Sequence, residues 1–82
     1  MIRILFFAQL REQLQCEKIE VEYIPSLTIS LLRERLVSLR PEWADFLAND
    51  KLLFSVNQTL VKASHPINDD DEVAFFPPVT GG

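Results

Sequence analysis

Apolar residues at period two open the chain. Met1-Ile2-Arg3-Ile4-Leu5-Phe6-Phe7-Ala8 is rich in β-branched and aromatic residues, with Ile2, Ile4 and Phe6 on one face, which predicts a strand. Gln9 to Leu14 holds good helix formers but spans under two turns, so it needs the sheet to pack on. Lys18-Ile19-Glu20-Val21-Glu22-Tyr23 then alternates cleanly, placing Ile19, Val21 and Tyr23 inward and Glu20 and Glu22 outward. That is a half-exposed antiparallel strand, ended by Pro25.

The period then lengthens. Thr28 suits a helix N-cap, and Ile29, Leu32, Leu36 and Leu39 follow as one apolar stripe, with Arg33, Glu34 and Arg35 on the wet side. Pro41 suits the first position of a second short helix in which Trp43, Phe46 and Leu47 pack; Trp43 and Phe46 read as core, and Asn49-Asp50 ends the helix. Leu52 to Val56 predicts another strand, joined to Thr59-Leu60-Val61 by a tight turn at Asn57-Gln58, because asparagine tolerates a positive φ. His65-Pro66 and Asn68 to Asp71 form a polar loop. Glu72 to Phe76 is the last strand, and Pro77 stops it by lacking a backbone donor.

The order β-β-α-β-β with short helical inserts predicts an α+β fold, one mixed sheet with its main helix across one face. The first and last strands are the most apolar and belong side by side at the centre, as in a β-grasp arrangement. Residues 1–76 form the domain, and 77–82 an extended tail. Adjacent aromatics point to opposite sheet faces, so Phe6-Phe7 and Phe75-Phe76 each offer one ring to the core and one outward. With Ile2, Ile4 and Phe6 on the core face, Phe7, Phe76 and Leu60 read as an apolar docking patch beside the tail, with Arg11 as a polar rim contact; the alternative is a core on both faces, covered by the short helices.

Composition narrows the classes of function. At 82 residues this is one domain near the size where a core becomes marginal; a hydrophobic fraction of 48% with 24% charged residues is that of a folded globule. The net charge of -4 repels phosphate backbones, which argues against nucleic acid and towards a basic partner. The single cysteine, Cys16, has no internal disulfide partner, and with one histidine, His65, makes no metal site. Apolar runs are too short for a signal peptide or a membrane span, so a reducing cytoplasm is expected, with Cys16 a loop thiol of no role. His65 reads as a turn residue rather than a base. The carboxylates of Asp69 to Glu72 read as a solvated turn, with docking onto a basic partner as the alternative. No nucleophile, base or acid-base pair stands out, so catalysis by this chain alone is not expected.

Both glycines of the chain, Gly81 and Gly82, are its last two residues, and they serve no turn. A free carboxylate is a poor electrophile and must be activated before a nucleophile attacks it, and the catalytic groups for this can belong to partners. Pro77, Pro78, Val79, Thr80, Gly81 and Gly82 extend at most ~20 Å, slender at the tip and stiffened at the base by polyproline geometry. Such a tail suits insertion into a narrow channel.

Phe6-Phe7-Ala8 with Arg11-Glu12, then Val56-Asn57-Gln58, His65-Pro66 and the stretch from Asp71 to Gly82 together resemble the small subunit of molybdopterin synthase. The resemblance spans the chain; the first strand and the terminal dodecapeptide match in order and spacing, the middle helix only in pattern. Two departures are visible: the family usually has glycine at the position of Asp70, and often one near Gln15. The resemblance implies a ubiquitin-like β-grasp sulfur carrier. An E1-like enzyme consuming ATP would adenylate Gly82, and a sulfur donor would convert it to a thiocarboxylate. The tail would then deliver sulfur to cyclic pyranopterin monophosphate inside the large subunit of a heterotetramer. No bound cofactor is implied. The alternatives are sulfur delivery to another pathway such as thiazole synthesis, a ubiquitin-like modifier, or an adaptor with no chemistry.

Overall fold

A computed structural model describes residues 1–78. Its elements are β1 (Ile2–Phe6), α1 (Ala8–Leu14), β2 (Lys18–Val21), α2 (Ile29–Leu39), a 3-10 turn (Pro41–Trp43), α3 (Ala44–Leu47), β3 (Leu53–Val56), β4 (Thr59–Val61) and β5 (Glu72–Phe76). The strands form one mixed sheet in the order β2-β1-β5-β3-β4. β1 and β5 run parallel, with Ile4 opposite Val73 and Phe6 opposite Phe75, and the other pairings are antiparallel. This is the α+β, ubiquitin-like β-grasp architecture that the apolar end strands predict.

Helices cover one face of the sheet only. Ile2, Ile4 and Phe6 of β1, Val73 and Phe75 of β5, and Ile29, Leu32 and Leu36 of α2 are all buried there. A run of edge-to-face aromatic contacts crosses this layer: Trp43 to Phe6 at 5.3 Å, Phe6 to Phe75 at 5.8 Å, and Phe75 to Phe54 at 5.4 Å between ring centroids. That geometry sets the positive ring edges on negative faces. The guanidinium of Arg40 lies 5.1 Å from the Trp43 ring and that of Arg33 5.5 Å from the Phe54 ring, so a cation closes each end of the run. Short α1 is held as expected by packing, through buried Leu10 and Leu14. The buried Trp43 indole N–H also donates to the Leu14 carbonyl at 3.2 Å, satisfying both the indole and one carbonyl at the helix end.

Three sequence expectations need correcting. Leu39 does not extend the apolar stripe of α2; it is the last helical residue and 55% exposed, because the backbone swings away at Arg40 before reaching more of the sheet. Arg33 and Arg35 are half-buried rather than on the wet side, which leaves only Glu34 of the three exposed, and the Arg33 guanidinium lies over the Phe54 ring. β2 ends at Val21, not Tyr23, because Val21 already pairs with Ile2 and β1 has almost no chain left to pair with. Tyr23 still packs against the core.

With no glycine available, the tight turns use other residues in left-handed geometry. Asn57 (φ 49°) and Gln58 (φ 71°) form the two-residue β3-β4 connection, both positive as a twisted hairpin requires. Gln15 (φ 54°) closes α1 and Asp70 (φ 70°) turns the acidic loop, both in left-handed geometry. Asn57 also joins two turns. Its N–H donates to the Glu72 carbonyl at 2.8 Å, its Oδ1 accepts from the Glu72 N–H at 3.0 Å, and its Nδ2 donates to Asp71 Oδ1 at 3.0 Å. Asp71 Oδ2 in turn accepts from the Asn68 N–H at 2.8 Å.

Two predictions follow from these turns. Gln15→Gly removes the Cβ clash at a helix C-terminus and should stabilise by about 0.5–1 kcal/mol, less than the full left-handed cost because glycine also gains unfolded-state entropy. Thermal unfolding checks it: the midpoint should rise by roughly 2–8 °C for a domain of this size. Asn57→Gly keeps the turn but loses the side-chain bonds, at a cost of about 1–2 kcal/mol. Asn57→Ala should cost about 1 kcal/mol more, and denaturant titration showing the two variants equal would remove the φ argument.

Candidate functional site

The face of the sheet opposite the helices is built from the alternate residues of the same strands. Register places Leu5 beside Ala74, Ala74 beside Ser55 and Ser55 beside Leu60, so one row crosses β1, β5, β3 and β4. In the next row on this face Leu53 pairs with Phe76, and the Phe7 and Phe76 rings stack with centroids 4.9 Å apart and an interplanar angle of 9°. A depression of about 360 Å³ lies here, floored by Leu5, Ser55 and Ala74 and walled by Phe7, Phe76 and Leu60. Gln58 and Glu72 add polar edges. Leu60 is 68% exposed and Phe7 37%, which is unusual for apolar side chains sharing one face.

The three apolar residues read from the sequence as a docking patch are therefore neighbours around one depression. Arg11 is not among its lining residues. It is exposed in the last turn of α1, and its N–H donates to the Phe7 carbonyl at 3.3 Å, so it stands one helical turn from the patch. Leu5, Leu53, Ser55 and Ala74 were not singled out by sequence. Ala74 lies in the unbroken apolar run of β5, where alternation carries no face information, and Leu53 and Ser55 take their side only from the register of β3. Pro77 and Pro78 leave the end of β5 half-buried beside this face. Val79, Thr80, Gly81 and Gly82 lie outside the described residues.

The polar residues have local roles. Asp69 accepts a hydrogen bond from the Met1 ammonium at 2.8 Å, and Asp70 lies 3.8 Å from the same group. The bond to Asp69 holds the amine above its ordinary pKa and, reciprocally, holds the Asp69 carboxyl below its own. Both groups are solvent-exposed. Asp71 braces the Asn57 turn, so only part of the acidic run is a free solvated surface. His65 is exposed, donates its N–H to the Lys62 carbonyl at 3.0 Å and accepts from the Ile29 N–H at 3.1 Å, the part of a turn residue. The Cys16 thiol is half-buried, 3.4 Å from the Lys18 carbonyl. No helix among the described residues is long and apolar enough to cross a membrane.

Comparison with known proteins agrees with this architecture. A relative from Escherichia coli (strain K12), a molybdopterin synthase sulfur carrier subunit, is 50% identical over 82 residues, all of both chains. A protein of the same name from Haemophilus influenzae is 43% identical, again over both whole chains. Among solved structures, SAMP1 from Haloferax volcanii superposes with a TM-score of 0.83 at 23% identity, covering 99% of this chain and 98% of that one, which establishes the shared fold. A complex of subunits 1 and 2 of molybdopterin-converting factor from Helicobacter pylori matches with a TM-score of 0.66 at 21% identity, over 99% of this chain and 97% of the matched chain. Residues 4–82 match the ThiS family model, and the chain belongs to the ThiS family, on the branch of the molybdopterin synthase sulfur carrier subunits.

Proposed function

We propose that this protein is the sulfur carrier of a molybdopterin synthase and that its working group is the carboxylate of Gly82. The observation that carries the proposal is the position of the tail's base. Phe76 walls the apolar depression on this face and Pro77 and Pro78 follow it directly in the chain, so a partner covering that face meets the start of the tail as well. Full-length identity of 50% to a sulfur carrier subunit supports the same reading.

In this mechanism an E1-like enzyme binds the carrier and ATP. A Gly82 carboxylate oxygen attacks the α-phosphorus, pyrophosphate leaves, and the resulting acyl-adenylate is a mixed anhydride. A sulfide equivalent from a donor then displaces AMP and leaves a thiocarboxylate. The charged tail enters the large synthase subunit, in a heterotetramer of two carriers and two large subunits, and two such transfers build the dithiolene from cyclic pyranopterin monophosphate. The spent carboxylate is recharged. Every acid, base and nucleotide-binding group belongs to the partners, the carrier itself holds no cofactor, and the cycle runs in the cytoplasm.

The apolar patch of Phe7, Phe76 and Leu60 is the docking surface in this reading, with Arg11 at its margin. Such a surface gains most from its central aromatic residues, which exclude water from the contact.

Intact-mass spectrometry after incubation with ATP, an activating enzyme and a sulfur source should show one oxygen-to-sulfur exchange, confined by fragmentation to Gly82. One residue appended after Gly82 should abolish it. Persistent exchange in that variant would sink the terminal-carboxylate mechanism, and a stable lysine conjugate instead would assign the protein as a modifier. Phe76→Ala should weaken binding to the large subunit about tenfold or more while leaving the fold intact. Titration calorimetry showing unchanged affinity would remove this face from the interface.

A further inference from the structure

At the edge of the depression the parallel ladder between β1 and β5 loses its last cross-strand hydrogen bond. In a parallel pair, a residue facing its neighbour donates to the residue before its partner and accepts from the residue after it. Arg3, opposite Glu72, follows this by donating to the Asp71 carbonyl at 3.1 Å. Phe7 continues the series, donating to the Phe75 carbonyl at 3.2 Å. Its reciprocal donor would be the N–H of residue 77, which is a proline and has none. The Phe7 carbonyl accepts from Arg11 instead, and the chain turns away at once at Ala8, where φ is 53°.

Side chains take over where the backbone ladder stops. The near-parallel stack of Phe7 on Phe76 differs from the edge-to-face contacts of the core, and it ties the last residue of β5 to the residue that follows β1. The other side of Phe76 is paired to Leu53. Beyond it, Pro77 and Pro78 have φ fixed by their rings, and the residue before a proline is confined to extended geometry. The direction in which the chain leaves the sheet is therefore set at Phe76.

We infer that Phe7 is a tail-positioning residue: its ring takes the place of the cross-strand hydrogen bond that Pro77 cannot make, and by holding Phe76 it sets the direction of Pro77 and Pro78. The consequence for sulfur transfer rests on the carrier reading above, whereas the latch is a property of the free chain. Two measurements test them separately.

In the free protein, NMR shifts of Phe76 to Pro78 and amide exchange at Phe76 are compared between wild type, Phe7→Tyr and Phe7→Leu. Tyrosine keeps the ring face and should match wild type. Leucine should move the shifts and speed the exchange of Phe76 roughly twofold to tenfold, the size of a stacking contribution. Unmoved shifts and exchange in Phe7→Leu overturn the latch. In the charging reaction at saturating activating enzyme, Phe7→Leu and Phe76→Leu should each lower the plateau rate by a similar factor. The double variant should lose little more than either single one, because one contact has been removed twice. Independent, multiplying losses, or losses confined to the half-saturating concentration, mean that each ring only docks and overturn the positioning role. Wild-type protein that never acquires a thiocarboxylate refutes the carrier reading alone, and the NMR comparison then decides the latch.

Discussion

The pairing of β1 with β5 is the contact on which the molecule depends. Antiparallel neighbours can be joined by two residues, but parallel neighbours need a crossover, and here the crossover is nearly the entire chain. Closing so long a loop has an entropic cost that local hydrogen bonds do not offset, so burial at the junction has to. Phe6 and Phe75 meet there edge to face, between Trp43 on one side and Phe54 on the other. The four rings come from β1, the turn after α2, β3 and β5, so the aromatic run ties together elements from both ends and the middle of the sequence. Arg40 and Arg33 over its outer rings let each end of an apolar stack meet the surface without an exposed aromatic face.

The open face is a consequence of the same pairing. β1 and β5 are central strands, with neighbours on both sides, yet a chain of this length supplies helices for one face only. Their alternate residues, Leu5 on one with Phe7 just beyond its end and Ala74 and Phe76 on the other, are apolar as in a sheet covered twice. Ser55 and Ala74 are small and make the hollow; Leu60 and the stacked phenylalanines are large and make its walls. An apolar hollow kept on a small protein despite its solvation cost fits a surface that spends its working time under a partner.

Legibility in the sequence followed the range of the interactions involved. Period-two alternation in β2, the Thr28 cap and the Asn57-Gln58 turn are local, and each stands where the sequence places it; the Thr28 hydroxyl accepts from the Leu31 N–H at 3.2 Å. The end of β2, the exposure of Leu39 and the burial of Arg33 were misread because each depends on how much sheet lies nearby. For the site, opposed pairs such as Phe6-Phe7 and Phe75-Phe76 gave the faces once one face was assigned to core. Leu5, Leu53, Ser55 and Ala74 needed the cross-strand register, and the Trp43 bond to Leu14 joins two helices that no pattern links.

Glycine placement separates two kinds of steric constraint. Six described residues, Ala8, Gln15, Ser26, Asn57, Gln58 and Asp70, hold positive φ without being glycine. The cost at such a position is on the order of 1 kcal/mol, and a nearby hydrogen bond can offset it. Asn57 has its bonds to Asp71 and Glu72, the Asp70 N–H donates to the Met1 carbonyl at 3.1 Å, and the Gln15 N–H donates to the Glu12 carbonyl at 3.2 Å. A channel wall is different. Repulsion against a Cβ rises steeply over a fraction of an ångström, and no hydrogen bond inside the carrier can offset a clash with another protein. Under the function proposed above, the two glycines are the residues that would enter a partner, whereas left-handed glutamine and aspartate are tolerated at the chain's own turns.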